Sequence, residues 1–291
     1  MADTLIEWAD WSINPIKVKG GGYHCTKVSE GCTRCYAEVF NNRFGNHKPF
    51  DATHVEFELD ERPFERLARA RKSRRVFLQS MGDLFHEDVP DLLQVKVIEW
   101  VSKLPQHTFM ILTKRPEGMD AWDYRSACWP GQKIDNWNPL PNLWLGVTVE
   151  NDKHLDRVEY LRQIHAAVTF VSYEPALGPA DFSPYLPGID LVIAGGETGP
   201  GARPSHPDWF RKVRDDCARA NVAFYFKSWG AHIPAVGRDE IGDVYFPPAE
   251  HDTSFDPFGD GTYMLKVNRE IKHLTRLLDG VEHNELPEVP K

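Results

Sequence analysis

Between about residue 60 and residue 230 the chain alternates two rhythms of apolar residues. Short apolar runs occupy Val76–Met81, Thr108–Thr113, Leu143–Val149, Val168–Ser172, Asp190–Ala194 and Val222–Phe226. Runs of this length and composition predict strands buried on both faces. Between them, apolar residues recur every three or four positions over Arg62–Lys72, Pro90–Leu104, Asp152–Ala166 and Pro207–Ala220. That spacing predicts helices; Pro90–Leu104 sets Leu93, Val97, Ile98 and Val101 on one face, and Asn151 or Asp152 caps the third. Ser12–Val18 reads as an earlier strand and Thr33–Phe44 as a first helix, with Ala37, Phe40 and Phe44 as its apolar positions. A last helix is expected over Leu265–Leu278, stopped at Asp279-Gly280.

Strands alternating with helices predict an α/β fold, its parallel sheet joined by crossovers. Six to eight such units suit a (β/α) barrel, complete or partial, with an open doubly wound sheet as the competing topology. One domain over residues 1–291 is expected, with a loop at 19–36, an insertion at about 114–142 and an irregular C-terminal wrapping segment at about 230–291.

Polar residues mark where each strand finishes: Gly82-Asp83, Lys114-Arg115, Thr148 with Glu150, Glu174, Gly195-Gly196-Glu197, and Lys227. In a parallel barrel such ends share one rim, where barrel enzymes build their sites. The plainer alternative is structural. Asp83 and Glu150 would cap the following helices, and Lys227 would pair inside the fold with Glu174 or Glu197.

Composition narrows the classes. The chain has 291 residues, 41% hydrophobic and 26% charged, which suits a soluble protein with a sizeable core. A net charge of -9 gives no broad grip on phosphates, so tight binding of duplex DNA is not expected. No apolar run approaches the roughly 18 residues of a membrane helix, and Met1–Trp8 carries no signal-peptide pattern. Five cysteines, three of them clustered, do not make a secreted disulfide framework, so a cytoplasmic protein is expected.

The cluster is Cys25-Thr-Lys-Val-Ser-Glu-Gly-Cys32-Thr-Arg-Cys35, followed by Tyr36-Ala-Glu38. Cys32 and Cys35 are close enough to approach one centre from a single turn, and Cys25 returns across a loop that holds Gly31. Three readings stand: a [4Fe–4S] cluster on three thiolates with one iron open, a zinc site completed by His24 or a distant ligand, or three unligated thiols. The zinc reading would make the protein a metal-stabilised binding module or a hydrolase using its rim carboxylates.

Further stretches carry a resemblance: Trp11-Ser-Ile-Asn-Pro15, Ser80-Met-Gly-Asp-Leu-Phe-His86, Leu112-Thr-Lys-Arg-Pro116, Ser172-Tyr-Glu-Pro-Ala-Leu-Gly-Pro179, Gly195–Pro204 and Phe226-Lys-Ser-Trp-Gly230. Together with the cysteine segment they resemble radical S-adenosylmethionine (SAM) enzymes. More closely they resemble a phage-associated, uncharacterised three-cysteine family related to those enzymes. The cysteine spacing, six residues and then two, departs from the usual three and then two. Arg34 replaces the usual aromatic before the last cysteine, and Tyr36 follows it.

The resemblance implies a radical-SAM-like barrel in which Cys25, Cys32 and Cys35 hold a [4Fe–4S] cluster and SAM chelates the open iron. Reductive cleavage of SAM would give a 5′-deoxyadenosyl radical. Tyr36, Gly82, Asp83, Thr148, Glu150, Gly195 and Gly196 are the cofactor-binding candidates; Gly82-Asp83 stands where the family has a motif near the SAM amino group. Glu174, Glu197 and Lys227 are the catalytic candidates, and Lys114, Arg115 and Arg203 are candidates for an anionic substrate, a nucleotide or nucleobase. The partners implied are that substrate and an electron donor of the flavodoxin or ferredoxin kind. Reaction subclass (oxidoreductase, lyase or isomerase) is left open.

Overall fold

The computed structural model describes residues 4, 6–51, 53–121, 139–235, 254–269 and 271–288. Most of the expected insertion and much of the wrapping segment, residues 122–138 and 236–253, lie outside the described residues. The chain divides into two compact units. The first comprises Met1–Thr148, Asp156–Phe170 and Glu288–Lys291, the second Val149–Leu155 and Val171–Pro287.

Four parallel strands organise the first unit: β1 (Trp11–Ile13), β4 (Arg75–Leu78), β5 (Thr108–Thr113) and β6 (Leu143–Thr148), paired in that order. Every residue of β6 is buried, as expected of a strand covered on both faces. A short antiparallel pair, β2 (Ile16–Val18) with β3 (Phe57–Leu59), lies apart from that sheet. The single strand expected over Ser12–Val18 is thus two, broken at Asn14-Pro15. The proline ring removes an N–H from the ladder, and the Asn14 side chain accepts instead from Met81 N–H at 2.7 Å.

The helices of this unit are α1 (Tyr36–Phe44), α2 (Arg62–Ala68), α3 (Asp91–Ser102), α4 (Pro116–Ala121) and α5 (Asp156–Gln163). Along α3, Val97, Ile98 and Val101 are fully buried. Each side chain so placed contributes about 1.5–3 kcal/mol of transfer free energy as an upper value. Leu93 is only half-buried, and its expected place is taken by Gln94, whose amide donates to Val89 O at 3.2 Å. The stretch before α5 is one 3-10 turn over Asp152–His154, capped by Asn151, whose side chain accepts from Lys153 N–H.

Strand β7 (Val168–Tyr173) gives its first residues to the first unit and its last to the second, where β8 (Leu191–Gly195) and β9 (Ala223–Ser228) pair in parallel. Helix α6 (Pro207–Ala220) covers this part. Proline opens it, the His206 ring accepts from Asp208 N–H, and Asn221 ends it at φ 55°. The hydrogen-bonded order β1-β4-β5-β6-β7-β8-β9 is linear. The α/β class and the partial form of the expected (β/α) architecture hold, and the described residues do not close a barrel.

The helix expected over Leu265–Leu278 is not formed. Instead β12 (Met264–Lys266) pairs with β10 (His232–Pro234) and β11 (Ser254–Phe255), and a 3-10 turn covers Lys272–Arg276. Met264 and Leu265 are buried in that small sheet, and Asn268 accepts from Ile271 N–H at 3.1 Å. Pairing with a distant strand outweighs a weak local preference here. No helix among the described residues is long and apolar enough to cross a membrane.

Candidate functional site

Within the first unit the cysteine loop is seated on the C-terminal ends of β4 and β5. Cys25, Cys32 and Cys35 are all free and partly buried, and Cys35 is the residue before α1. Four contacts fix the loop. Tyr36 donates its hydroxyl to Ser80 O at 2.6 Å. A Cβ on Gly82 would stand 3.1 Å from His24 O, so a side chain there would press on the loop. Thr26 Oγ1 lies 3.2 Å from His86 Nε2. Finally, the Arg115 guanidinium donates to Thr26 O at 3.0 Å, to Thr26 Oγ1, and to Cys25 Sγ at 3.6 Å.

Arg115 is buried, its side chain 6% exposed, and Asp83 faces it at 3.4 Å. Asp83 is saturated. Its Oδ1 accepts from Phe85 N–H at 3.0 Å and from the Thr113 hydroxyl at 2.7 Å; its Oδ2 accepts from Lys114 N–H at 3.1 Å and from Arg115 Nη1. A carboxylate offers about four acceptor positions, and four donors fill them. Thr113 ends β5, the chain bends at Lys114, and the Thr113 hydroxyl oxygen also accepts from Arg115 N–H.

Electrostatics around the sulfurs pull in opposite directions. Burial pushes the Cys25 thiol up to about 12, aided by Asp83 and opposed by Arg115, with smaller upward contributions from Cys35 and Cys32. Cys35 is also raised by burial, while the backbone N–H groups of Glu38 and Ala37 and the charge of Lys114 draw it down. Those N–H groups act at a helix start, where thiolates are favoured, without forming a capping hydrogen bond of ordinary geometry. Burial would depress Arg115, but Asp83 and Cys25 hold it above its usual value. His86 is lowered by burial and by Arg115; its Nδ1 accepts from Asp88 N–H, which leaves Nε2–H for Thr26.

The donor set, three free and partly buried thiols on one loop, is of the kind that can hold an iron–sulfur cluster. Among the described residues, no three His, Cys, Asp or Glu are grouped closely enough to hold one metal ion. His24, the fourth ligand weighed for zinc, is buried between the rings of Phe50 and His86, with no hydrogen-bond partner for its Nε2.

The second unit gathers the other strand-end residues in two ion pairs. Lys227, within β9, donates to Glu174 just past β7; their side chains are 17% and 18% exposed. Glu197 takes the Arg203 guanidinium through both oxygens, at 2.9 and 2.5 Å, and accepts from Arg203 N–H at 2.7 Å. A Cβ on Gly195 would meet Glu174 and Lys227 at ordinary contact distance, 3.5 Å, whereas one on Gly196 would meet Trp229 O at 2.1 Å. Glu150, in the second unit, is fully buried, with His154 at 3.9 Å from its carboxylate. Thr148, in the first, is buried and accepts through its carbonyl from Arg157 at 2.8 Å.

Thr26 and Thr113 were not among the sequence candidates, and His86 was read chiefly as a turn residue. The place of Thr113 at the end of an apolar run was the one signal that could have found it. Thr26 was adjacent to the first cysteine, but nothing in its type marked it.

These features define an α/β protein with a three-cysteine loop set on parallel strand ends. The chain belongs to the family described as "Protein of unknown function (DUF5131)", whose model matches residues 3–287. No curated protein matches it. Among solved structures it is similar to a variant of spore photoproduct lyase, with 12% identity and a TM-score of 0.46, over 94% of this chain and 73% of that one. It is also similar to spore photoproduct lyase complexed with dinucleoside spore photoproduct, with 11% identity and a TM-score of 0.46 over the same shares.

Proposed function

We propose that the protein is a radical SAM-type iron–sulfur enzyme. The observation that carries this is the seating of three free thiols, on one loop, against the C-terminal ends of β4 and β5, with a buried arginine donating to one of the sulfurs. Cys25, Cys32 and Cys35 are the proposed ligands of a [4Fe–4S] cluster. When bound, the cluster supplies one electron for reductive cleavage of SAM to a 5′-deoxyadenosyl radical, which takes hydrogen from the substrate. Cysteine thiolates are the ligands such a cluster takes, and the Arg115 guanidinium stands beside one of them.

The chain's own residues then bind and orient. Tyr36 and Gly82 keep the loop close to β4, and Gly82 leaves room for backbone approach. In the second unit, Glu174 and Lys227 share a proton-bearing contact beside Gly195, and these, with Glu197, are the proposed substrate-facing groups. The substrate class we assign is a nucleotide or nucleobase. The cation Lys114, just past the end of β5, supports it, and the net charge of -9 sets a duplex grip aside. Thiolates of this kind persist in a reducing cytoplasm, where a flavodoxin- or ferredoxin-like donor would supply the electron.

The test is anaerobic reconstitution with iron and sulfide. A brown protein whose broad absorbance bleaches with dithionite, and which turns SAM into 5′-deoxyadenosine, is the expected result. Changing Cys32 to alanine should abolish the colour. A colourless protein holding one zinc, or SAM bound without reductive cleavage, would overturn the reading.

A further inference from the structure

Arg115 stands out among the buried charged groups because its surroundings leave it one direction in which to act. Asp83 spends four acceptor positions, one of them on Arg115, and so takes no ligand itself; its place is to hold the guanidinium. Thr26 takes the other side of the fork through its carbonyl and hydroxyl oxygens, and His86 holds that hydroxyl in turn. Nη1, which donates to Asp83 Oδ2 at 3.4 Å, has a second hydrogen and also reaches Cys25 Sγ at 3.6 Å. This is ordinary reach for an N–H donor to sulfur, and the pair beside it is buried: Arg115 is 6% and Asp83 8% exposed. In such surroundings a charge-assisted donor acts more strongly than at a surface.

We infer that Arg115 is a positioning residue for the Cys25 ligand that biases the bound cluster toward its reduced state. The inference rests on the cluster reading above and deepens it. Reduction adds one electron, from an external one-electron reductant that is itself oxidised, and one negative charge to the cluster and its three thiolates. No bond breaks and no proton moves. A fixed cation donating to one sulfur stabilises the more negative state more than the less negative one, so it raises the reduction potential. Hydrogen bonds to ligand sulfurs are among the determinants of such potentials. Arginine suits the task because it cannot lose its charge and its planar fork bridges Thr26, Asp83 and Cys25 at once. Lysine would keep the charge and lose the fork.

The experiment is a dithionite titration of reconstituted protein, followed by electron paramagnetic resonance, on the wild type, Arg115→Gln and Arg115→Lys. Iron per chain and circular dichroism are measured alongside. For Arg115→Gln the equilibrium constant for reduction should fall about tenfold, a midpoint about 59 mV more negative for one electron. Arg115→Lys should move the same way by less, and it carries the measurement if Arg115→Gln does not fold or retain iron. A folded, iron-loaded variant whose reduction equilibrium stays at the wild-type value would overturn the inference and leave the cluster reading intact. A wild type that takes up no cluster would overturn both.

Discussion

Tyr36 joins the cysteine loop to the sheet by one hydrogen bond, from its hydroxyl to Ser80 O at 2.6 Å. The residue opens α1, directly after Cys35, and its ring is half exposed. Ser80 follows Gln79, a buried residue at φ 66° whose amide bonds both the N–H and the carbonyl of Ile16 at 3.0 Å. The last cysteine is therefore tied, through Tyr36, to a stretch of backbone that is itself clamped. Tyr36→Phe removes one hydrogen bond and little packing, so stability should fall by only about 0.5–1.5 kcal/mol. Iron retained per chain after desalting should fall more markedly, because the loop loses a tether next to a ligand. Urea denaturation and iron analysis on the same sample check both. Unchanged iron with lowered stability would make Tyr36 a fold residue only.

Lys227 and Glu174 form a half-buried pair beside Gly195. Removing one partner leaves the other charged in a poorly solvated place, so Lys227→Met should cost about 1–3 kcal/mol. Pairing it with Glu174→Gln should return part of that loss. A double-mutant cycle from chemical denaturation is the measurement, with a coupling of about 1 kcal/mol expected for groups in contact. Strict additivity would mean that the pair does not interact in solution.

Much of the parallel sheet was legible from the chain because its strands are apolar on both faces and bounded by polar residues. Thr108–Thr113 and Pro207–Ala220 begin and end where the pattern places them. The ion pair of Lys227 with Glu174 was legible as the plainer of two alternatives. What was not legible depended on contacts between distant residues. Met264-Leu265-Lys266 carries no mark that it pairs with His232–Pro234 rather than opening a helix. Arg115 and Asp83 were read as facing ligands because each follows a strand, yet the four donors on Asp83 come from Phe85, close by, and from the distant stretch Thr113–Arg115. Residue type located these groups at the strand ends; direction needed the folded chain.

Gly196 illustrates a glycine held by packing. Its missing Cβ is where Trp229 O sits, at 2.1 Å, and Gly196 N–H donates to Ser228 O at 2.8 Å. Neither backbone can yield, since Trp229 also donates from its own N–H to Thr275 O and from its indole to Leu277 O. Gly196→Ala should therefore destabilise the second unit by more than the 1–3 kcal/mol typical of overpacking. Gly195→Ala, whose Cβ meets neighbours at 3.4–3.5 Å, should be tolerated. Thermal melts of the two variants decide it, and equal melting temperatures would contradict the packing account.

Asp279 supplies a pH test of the second unit. It accepts from Arg211 at 2.9 and 2.7 Å and from Arg214 at 2.7 Å. Burial alone would raise its carboxyl, but the two guanidinium groups outweigh it and hold the folded-state value below the usual one. A group depressed in this way stabilises the fold above its unfolded pKa of about 3.9. That contribution is lost as pH falls through the lower folded-state value, because protonation must then be forced against both arginines. Asp279→Asn removes the charge at every pH. The variant should be about 1–2 kcal/mol less stable than the wild type at pH 7, since all three side chains are partly exposed and the pairs are screened. The difference should shrink progressively below about pH 4, where the unfolded wild type takes up a proton that the folded carboxylate does not yet bind. Urea denaturation at pH 7 and pH 3 gives both numbers, and a gap that stays constant across that range would show that Asp279 acts through shape, not charge.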